Sequence, residues 1–203
     1  MRKFSIAIIL SLTLGCATMY AQGLKSLRGN WEVERSNTQH KEQHAAQPIY
    51  EEAMKYSSGS KGVKRDIYKA YELYHEAADL GHPQAQHKVG ACFYYGSGVE
   101  KDLKKAFFYW TKASEANIAE AHYELGRMYY YGEACKRNYD TAIELFRKAE
   151  AANVTGAYYM LGKCYLDGTG VGRDKQLAIE YFQKAASRGN HNARYELEEL
   201  LGN

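Results

Sequence analysis

A chain of 203 residues with 27 basic and 24 acidic side chains suffices for one extended domain and is too evenly charged to track a nucleic-acid backbone. With Arg2 and Lys3 set aside, 25 basic side chains remain and form no basic stripe. Past residue 22 no stretch is apolar and long enough to cross a bilayer.

Residues 1–21 have the layout of a bacterial secretory signal: Arg2-Lys3 at the start, then an apolar run from Phe4 to Leu14 too short to span a membrane. Cleavage after Ala21 is one expectation. The other is a lipoprotein junction at Gly15-Cys16 with Cys16 acylated, the one route by which this chain would sit on a membrane. Thr13 stands where that junction expects leucine. Residues 22–47 are rich in Ser, Asn, Gln, His, Lys and Glu and read as a flexible lead-in. His40 and His44 within it have helical metal-ligand spacing but no supporting cysteine or carboxylate cluster, so no metal is expected there.

From Ile49 to Leu201 a register recurs every 36 residues, and the spacing reads as unbroken. Ala77, Ala113, Ala149 and Ala185 fall in step, as do Ala85, Ala121, Ala157 and Ala193, and Gly90, Gly126 and Gly162. Tyr74, Trp110, Phe146 and Phe182 form an aromatic column. A fixed period of this size means stacked supersecondary units. Each unit reads as two helices. Ala85, Val89, Cys92, Phe93 and Gly96 would form the buried stripe of the first, and Leu103, Ala106, Tyr109, Trp110 and Ala113 that of the second. Asp66, Asp102, Asn138 and Asp174 precede the second helices as N-caps. A partial unit at 48–81 carries Met54 in place of the glycine and Ser60 in place of the loop glycine. Complete units follow at 82–117, 118–153 and 154–189. A polar-faced cap helix at 190–201 has Glu198 where the glycine column stood.

These columns resemble the Sel1-like repeat, a relative of the tetratricopeptide repeat. Its pattern, A-x-x-x-L-G-x-x-Y-x-x-G-x-G-V-x-x-D-x-x-x-A-x-x-W/Y-x-x-x-A-A, is met by Ala85–Ala113, by Ala121–Ala149, and from Ala157 through Ala185-Ala186. The resemblance covers about three quarters of the chain. It implies an all-α fold, an α-solenoid of Sel1-like helix-turn-helix repeats wound as a right-handed superhelix. One subgroup of the family staples its helix pairs with cysteines at positions held here by Ser114 and its equivalents, so that disulfide framework does not carry over. Cys92 and Cys164 read as small buried hydrophobes, and a Cys135–Cys164 bridge is an alternative.

No catalytic constellation emerges. Gly168-Thr169-Gly170-Val171 looks like a phosphate loop but follows no strand, and carboxylates alternate with lysines as on solvated faces. The expectation is therefore no catalysis, no cofactor and no metal. The resemblance implies that the first helices line a concave face. Their positions opposite the buried stripe are His87, Tyr123 and Tyr159, then Arg127 and Lys163, then Tyr94 and Tyr130. Tyrosine and arginine dominate binding hot spots, and the chain holds 19 tyrosines against 6 phenylalanines. The reading is an exported, periplasmic or secreted scaffold that holds a protein or peptide on this face and binds no nucleic acid. The alternatives are an envelope factor engaging cell-wall glycan or β-lactam-like ligands, and a self-assembling structural protein.

Overall fold

A computed structural model describes residues 44–60 and 62–202. The signal-like segment at 1–21, Cys16, His40 and the lead-in as far as residue 43 lie outside the described residues. The described residues contain nine helices and no strands: α1 (44–58), α2 (Ile67–Asp79), α3 (Pro83–Tyr95), α4 (Leu103–Glu115), α5 (Ala119–Tyr131), α6 (Tyr139–Ala151), α7 (Thr155–Asp167), α8 (Lys175–Ser187) and α9 (His191–Leu201). Each helix packs on the next, so the chain from Ala46 onward is an α-solenoid. Residues 44–47, read from sequence as the end of the lead-in, already belong to α1. Within that stretch Ala46 is fully buried, and Gln47 Nε2 donates to Glu51 Oε1 at 2.8 Å.

The element ends follow from their terminal residues. Asp66, Asp102, Asn138 and Asp174 are extended N-caps whose side chains accept first-turn backbone N–H groups. Each such cap stabilises its helix by about 1 kcal/mol. α3, α5 and α7 stop at Gly96, Gly132 and Gly168 in the left-handed region, with φ of 71°, 76° and 72°. Gly96, grouped with the buried stripe by its spacing, is thus a helix terminator.

Within each complete repeat an aromatic ring lies on a glycine. A Cβ on Gly90 would come 2.5 Å from Trp110 Cδ1, one on Gly126 2.8 Å from Phe146 Cε1, and one on Gly162 2.7 Å from Phe182 Cε1. The aromatic column therefore fills the space between the two helices of one unit. Between units the contact is alanine on alanine. Ala77, Ala113, Ala149 and Ala185 on the second helices, and Ala85, Ala121, Ala157 and Ala193 on the first, are all 0 % exposed. A polar stitch accompanies three of the four crossings. Gln86 Nε2 donates to Ala78 O at 3.4 Å, Ser114 Oγ and His122 Nδ1 lie 2.7 Å apart, and Tyr158 OH donates to Glu150 O at 3.4 Å.

The first unit departs from the expected spacing. In the complete repeats the N-cap N–H closes onto the carbonyl nine residues back, Asp102 onto Phe93, Asn138 onto Tyr129 and Asp174 onto Tyr165. Asp66 closes onto Tyr56, ten back. The α1–α2 connection is one residue longer, and α1 stands one place out of the 36-residue step. Ala53, 0 % exposed, occupies the glycine place rather than Met54, which is 46 % exposed. Gly59, with φ 71°, ends α1 rather than Ser60. At the other end α9 is not uniformly polar: Tyr195 and Leu201 are 62 % and 51 % exposed.

Candidate partner-binding face

All seven candidate residues, His87, Tyr94, Tyr123, Arg127, Tyr130, Tyr159 and Lys163, are half-buried. The solenoid brings Tyr94, Tyr123 and Arg127 together across α3 and α5. The Arg127 guanidinium lies 5.9 Å from the Tyr94 ring centre and 5.8 Å from that of Tyr123. Arg127 Nη1 donates to Glu124 Oε2 at 2.9 Å, in a pair whose side chains are only 25 % and 18 % exposed. Tyr94 OH donates to Glu133 Oε2 at 3.0 Å, reaching from α3 to the loop after α5.

Burial sets the electrostatics. It pushes the Glu124 carboxyl above the usual carboxylate range, and Arg127 offsets this only in part. Burial alone would weaken the Arg127 cation, yet Glu124, Tyr123 and Tyr94 together hold it above its ordinary value. The result is a permanent cation fixed between tyrosine rings. A half-buried pair of this kind adds little net stability, because desolvation offsets the attraction. Its effect is to hold charge and rings in one geometry before anything binds.

Tyr123 also packs on the next first helix: a Cβ at Gly156 of α7 would come 2.5 Å from its Cζ. Tyr130 leans on Tyr139 and Phe146, with ring centres 5.4 Å and 6.4 Å away. Burial, with Cys164 and Asp167 beside it, pushes its phenol up to about 12. Tyr159 lies 5.9 Å from Phe182, and Lys163 is the cation nearest its phenol in effect. His87 joins neither group. Its carbonyl accepts from Trp110 Nε1 at 3.1 Å, and burial, then Lys88, lowers its imidazole below the ordinary value.

Residue columns alone missed four residues. Glu124 and Glu133 anchor the cluster, and Tyr95 and Tyr131 are 62 % and 44 % exposed beside it. The doublets Tyr94-Tyr95 and Tyr130-Tyr131 recur at the 36-residue step, and Glu124 and Arg127 stand three apart on one helix. Both signals were available.

The thiols are hydrophobes. Cys164 is buried, and burial pushes its thiol up to about 12 and that of half-buried Cys92 to about 11. Cys135 and Cys164 are free, so the bridge between them is not formed; Cys135 Sγ lies 3.6 Å from Met128 O instead. His44 is exposed on α1, and among the described residues no three His, Cys, Asp or Glu side chains converge as a metal site. No described helix is long and apolar enough to cross a membrane.

The Sel1 repeat model matches four times, at residues 53–82, 83–118, 119–154 and 155–190. The chain belongs to the Sel1 repeat family. Among solved structures, a Sel1 repeat protein from Oxalobacter formigenes is 30 % identical with a TM-score of 0.69, over 76 % of this chain and 62 % of its own. A protective antigen of uropathogenic Escherichia coli, displaying the same repeat fold, is 28 % identical with a TM-score of 0.69, over 78 % of this chain and 34 % of its own. Cysteine-rich protein B of Helicobacter pylori is 27 % identical with a TM-score of 0.50, over 66 % of this chain and 96 % of its own. The chain thus spans less than two thirds of the first two proteins. A search of curated proteins returned no match. Sel1-repeat proteins are typically protein-interaction scaffolds and generally non-catalytic.

Proposed function

We propose that this chain is a non-catalytic scaffold, exported from a bacterial cell, that captures a protein or peptide along the outward face of α3, α5 and α7. The observation that carries this reading is the Arg127 cation held by Glu124 between the rings of Tyr94 and Tyr123. A partner meeting this face finds charge, aromatic area and hydrogen-bond donors already ordered, which lowers the entropy cost of binding. Tyr95 and Tyr131 supply the accessible contact area. Tyr94, Tyr123, Arg127, Tyr130, Tyr159 and Lys163 supply the preorganised floor, with His87 at its edge. Export rests on the arrangement of residues 1–21, and acylation of Cys16 would tether the same scaffold to a membrane.

Affinity capture from the native envelope, with residues 23–203 as bait, tests the reading. Tyr123 and Tyr130 are packed into the repeat interior, so their removal would disturb the fold. The informative control is a Tyr95→Ala/Tyr131→Ala double variant. One protein retained by the wild type and lost by the variant supports the reading. Equal retention by both refutes the assignment to this face.

A further inference from the structure

A recess lies in the first unit between α1, α2 and α3. Aligned on the loop hydrogen bonds, Ser57 stands where Tyr94 and Tyr130 stand. The Tyr94 ring packs 5.2 Å from Trp110, and that of Tyr130 lies 6.4 Å from Phe146. Ser57 contributes only a small hydroxyl-bearing side chain. The missing ring leaves a cavity of about 410 Å³ between α1, α2 and α3, lined among others by Tyr50, Tyr74, Met54, Lys55 and Lys88.

This recess lies in line with the face described above. By the same alignment Tyr50 corresponds to Tyr123, and Met54 to Arg127. Its floor is aromatic, with the Tyr50 and Tyr74 ring centres 5.7 Å apart. Its lining is net basic, two lysines against Glu51, while the Glu120 carboxylate, which is not part of that lining, acts on the Tyr50 phenol. One oxygen of Glu51 accepts from Gln47. Neither Lys55 nor Lys88 has a carboxylate within ion-pair distance among the described residues. Ser57, Ser58 and Ser60 add hydroxyls at the rim. Two ammonium groups and hydroxyls over an aromatic floor suit a carboxylate carried on an apolar body.

We propose that this recess takes the C-terminal residue of an extended peptide, its apolar side chain over Tyr50 and Tyr74 and its carboxylate at Lys55 and Lys88. The proposal rests on the reading of the face as a peptide surface and gives the peptide a direction, with its C-terminus at α1.

The test is an NMR titration of the full chain with N-acetyl-phenylalanine, its carboxamide and 3-phenylpropanoate. The acid should shift resonances of Tyr50 and Tyr74 and bind about tenfold more tightly than the carboxamide. It should also outbind 3-phenylpropanoate, which lacks the peptide amide. Exposed Lys88→Ala should weaken the acid by about tenfold, and Ser57→Tyr, which restores the missing ring, should abolish its binding. Equal binding of acid and carboxamide, or no binding of either, overturns the proposal. Equal binding of 3-phenylpropanoate reassigns the recess to small organic acids and overturns the peptide assignment. The Tyr95→Ala/Tyr131→Ala variant should bind the acid unchanged. Equal partner capture by this variant and the wild type, with acid binding intact, therefore sinks the face and not the recess.

Discussion

The complete repeats and the first unit solve one packing problem in two ways. In the complete repeats a large ring lies on a glycine and has a large side chain beside it: Trp110 has Gly90 and Tyr94, Phe146 has Gly126 and Tyr130, and Phe182 has Gly162 with Leu166 in the tyrosine place. In the first unit Tyr74, no smaller than Phe146, stands with Ala53 in the glycine place, and Ser57 takes the tyrosine place. The difference teaches that the size of the ring alone does not dictate glycine here, and that a large side chain in the tyrosine place closes space a solenoid otherwise leaves open.

The largest effect that would break this comparison is at Phe146, which is 0 % exposed. Phe146→Ala should cost about 3–5 kcal/mol in urea unfolding. Tyr74→Ala should cost less, because Tyr74 already borders a cavity, and equal losses would contradict the comparison. Next comes Gly162→Ala, whose Cβ would lie 2.7 Å from Phe182 Cε1 and should cost about 1–3 kcal/mol. Ala53→Gly is the counterpart. It should lose about 1 kcal/mol of helix propensity and gain no packing, so a stabilised Ala53→Gly protein would show that Tyr74 wants a glycine after all. Ser57→Tyr should raise stability by about 0.5–2 kcal/mol by filling the recess, read as a higher Tm.

A smaller effect sharpens the comparison in the loops. Gly98 and Gly170 have φ of 74° and 71°, and Ala134 in the equivalent loop has φ 58°. Ala134→Gly should relieve a left-handed backbone that alanine adopts poorly and stabilise by about 0.5–1 kcal/mol. The pH response has a definite sign. Burial lowers the imidazoles of His82, His87 and His122 below the ordinary 6.5. The unfolded chain therefore binds protons that the folded chain refuses. The stability these groups contribute is complete above about 6.5 and is lost as pH falls toward their folded values. Urea midpoints should be lower at pH 5.5 than at pH 7.5, and the reverse order would contradict neutral burial of these rings.

Much of this fold was legible because backbone approach dictates residue size: alanine where helices touch, glycine under a ring, an N-cap before each second helix. The offset of α1 was not legible. Ala53 and Met54, like Gly59 and Ser60, are adjacent candidates for each column, and only the bond from Asp66 to Tyr56 decides between them. On the face, Tyr94, Tyr123 and Arg127 followed from column position. Glu133 did not, because its role depends on the Tyr94 hydrogen bond that forms only when α3 lies against α5 and the loop after it; Glu124, three residues before Arg127 on α5, was legible but passed over. Tyr95 and Tyr131 were passed over for their neighbours, although a residue one place further on is the more exposed of each doublet.

The central claim is that the outward face of the first helices, and not that of the second, meets the partner. The most direct measurement is photocrosslinking in the native envelope, with benzoylphenylalanine replacing Tyr95 or Tyr131 on the first helices, or Phe108 on α4. All three native side chains are exposed, Phe108 at 51 %. The account predicts one adduct of the same mass from positions 95 and 131 and none from 108. Adducts from 108 alone, or from none of the three, would contradict it.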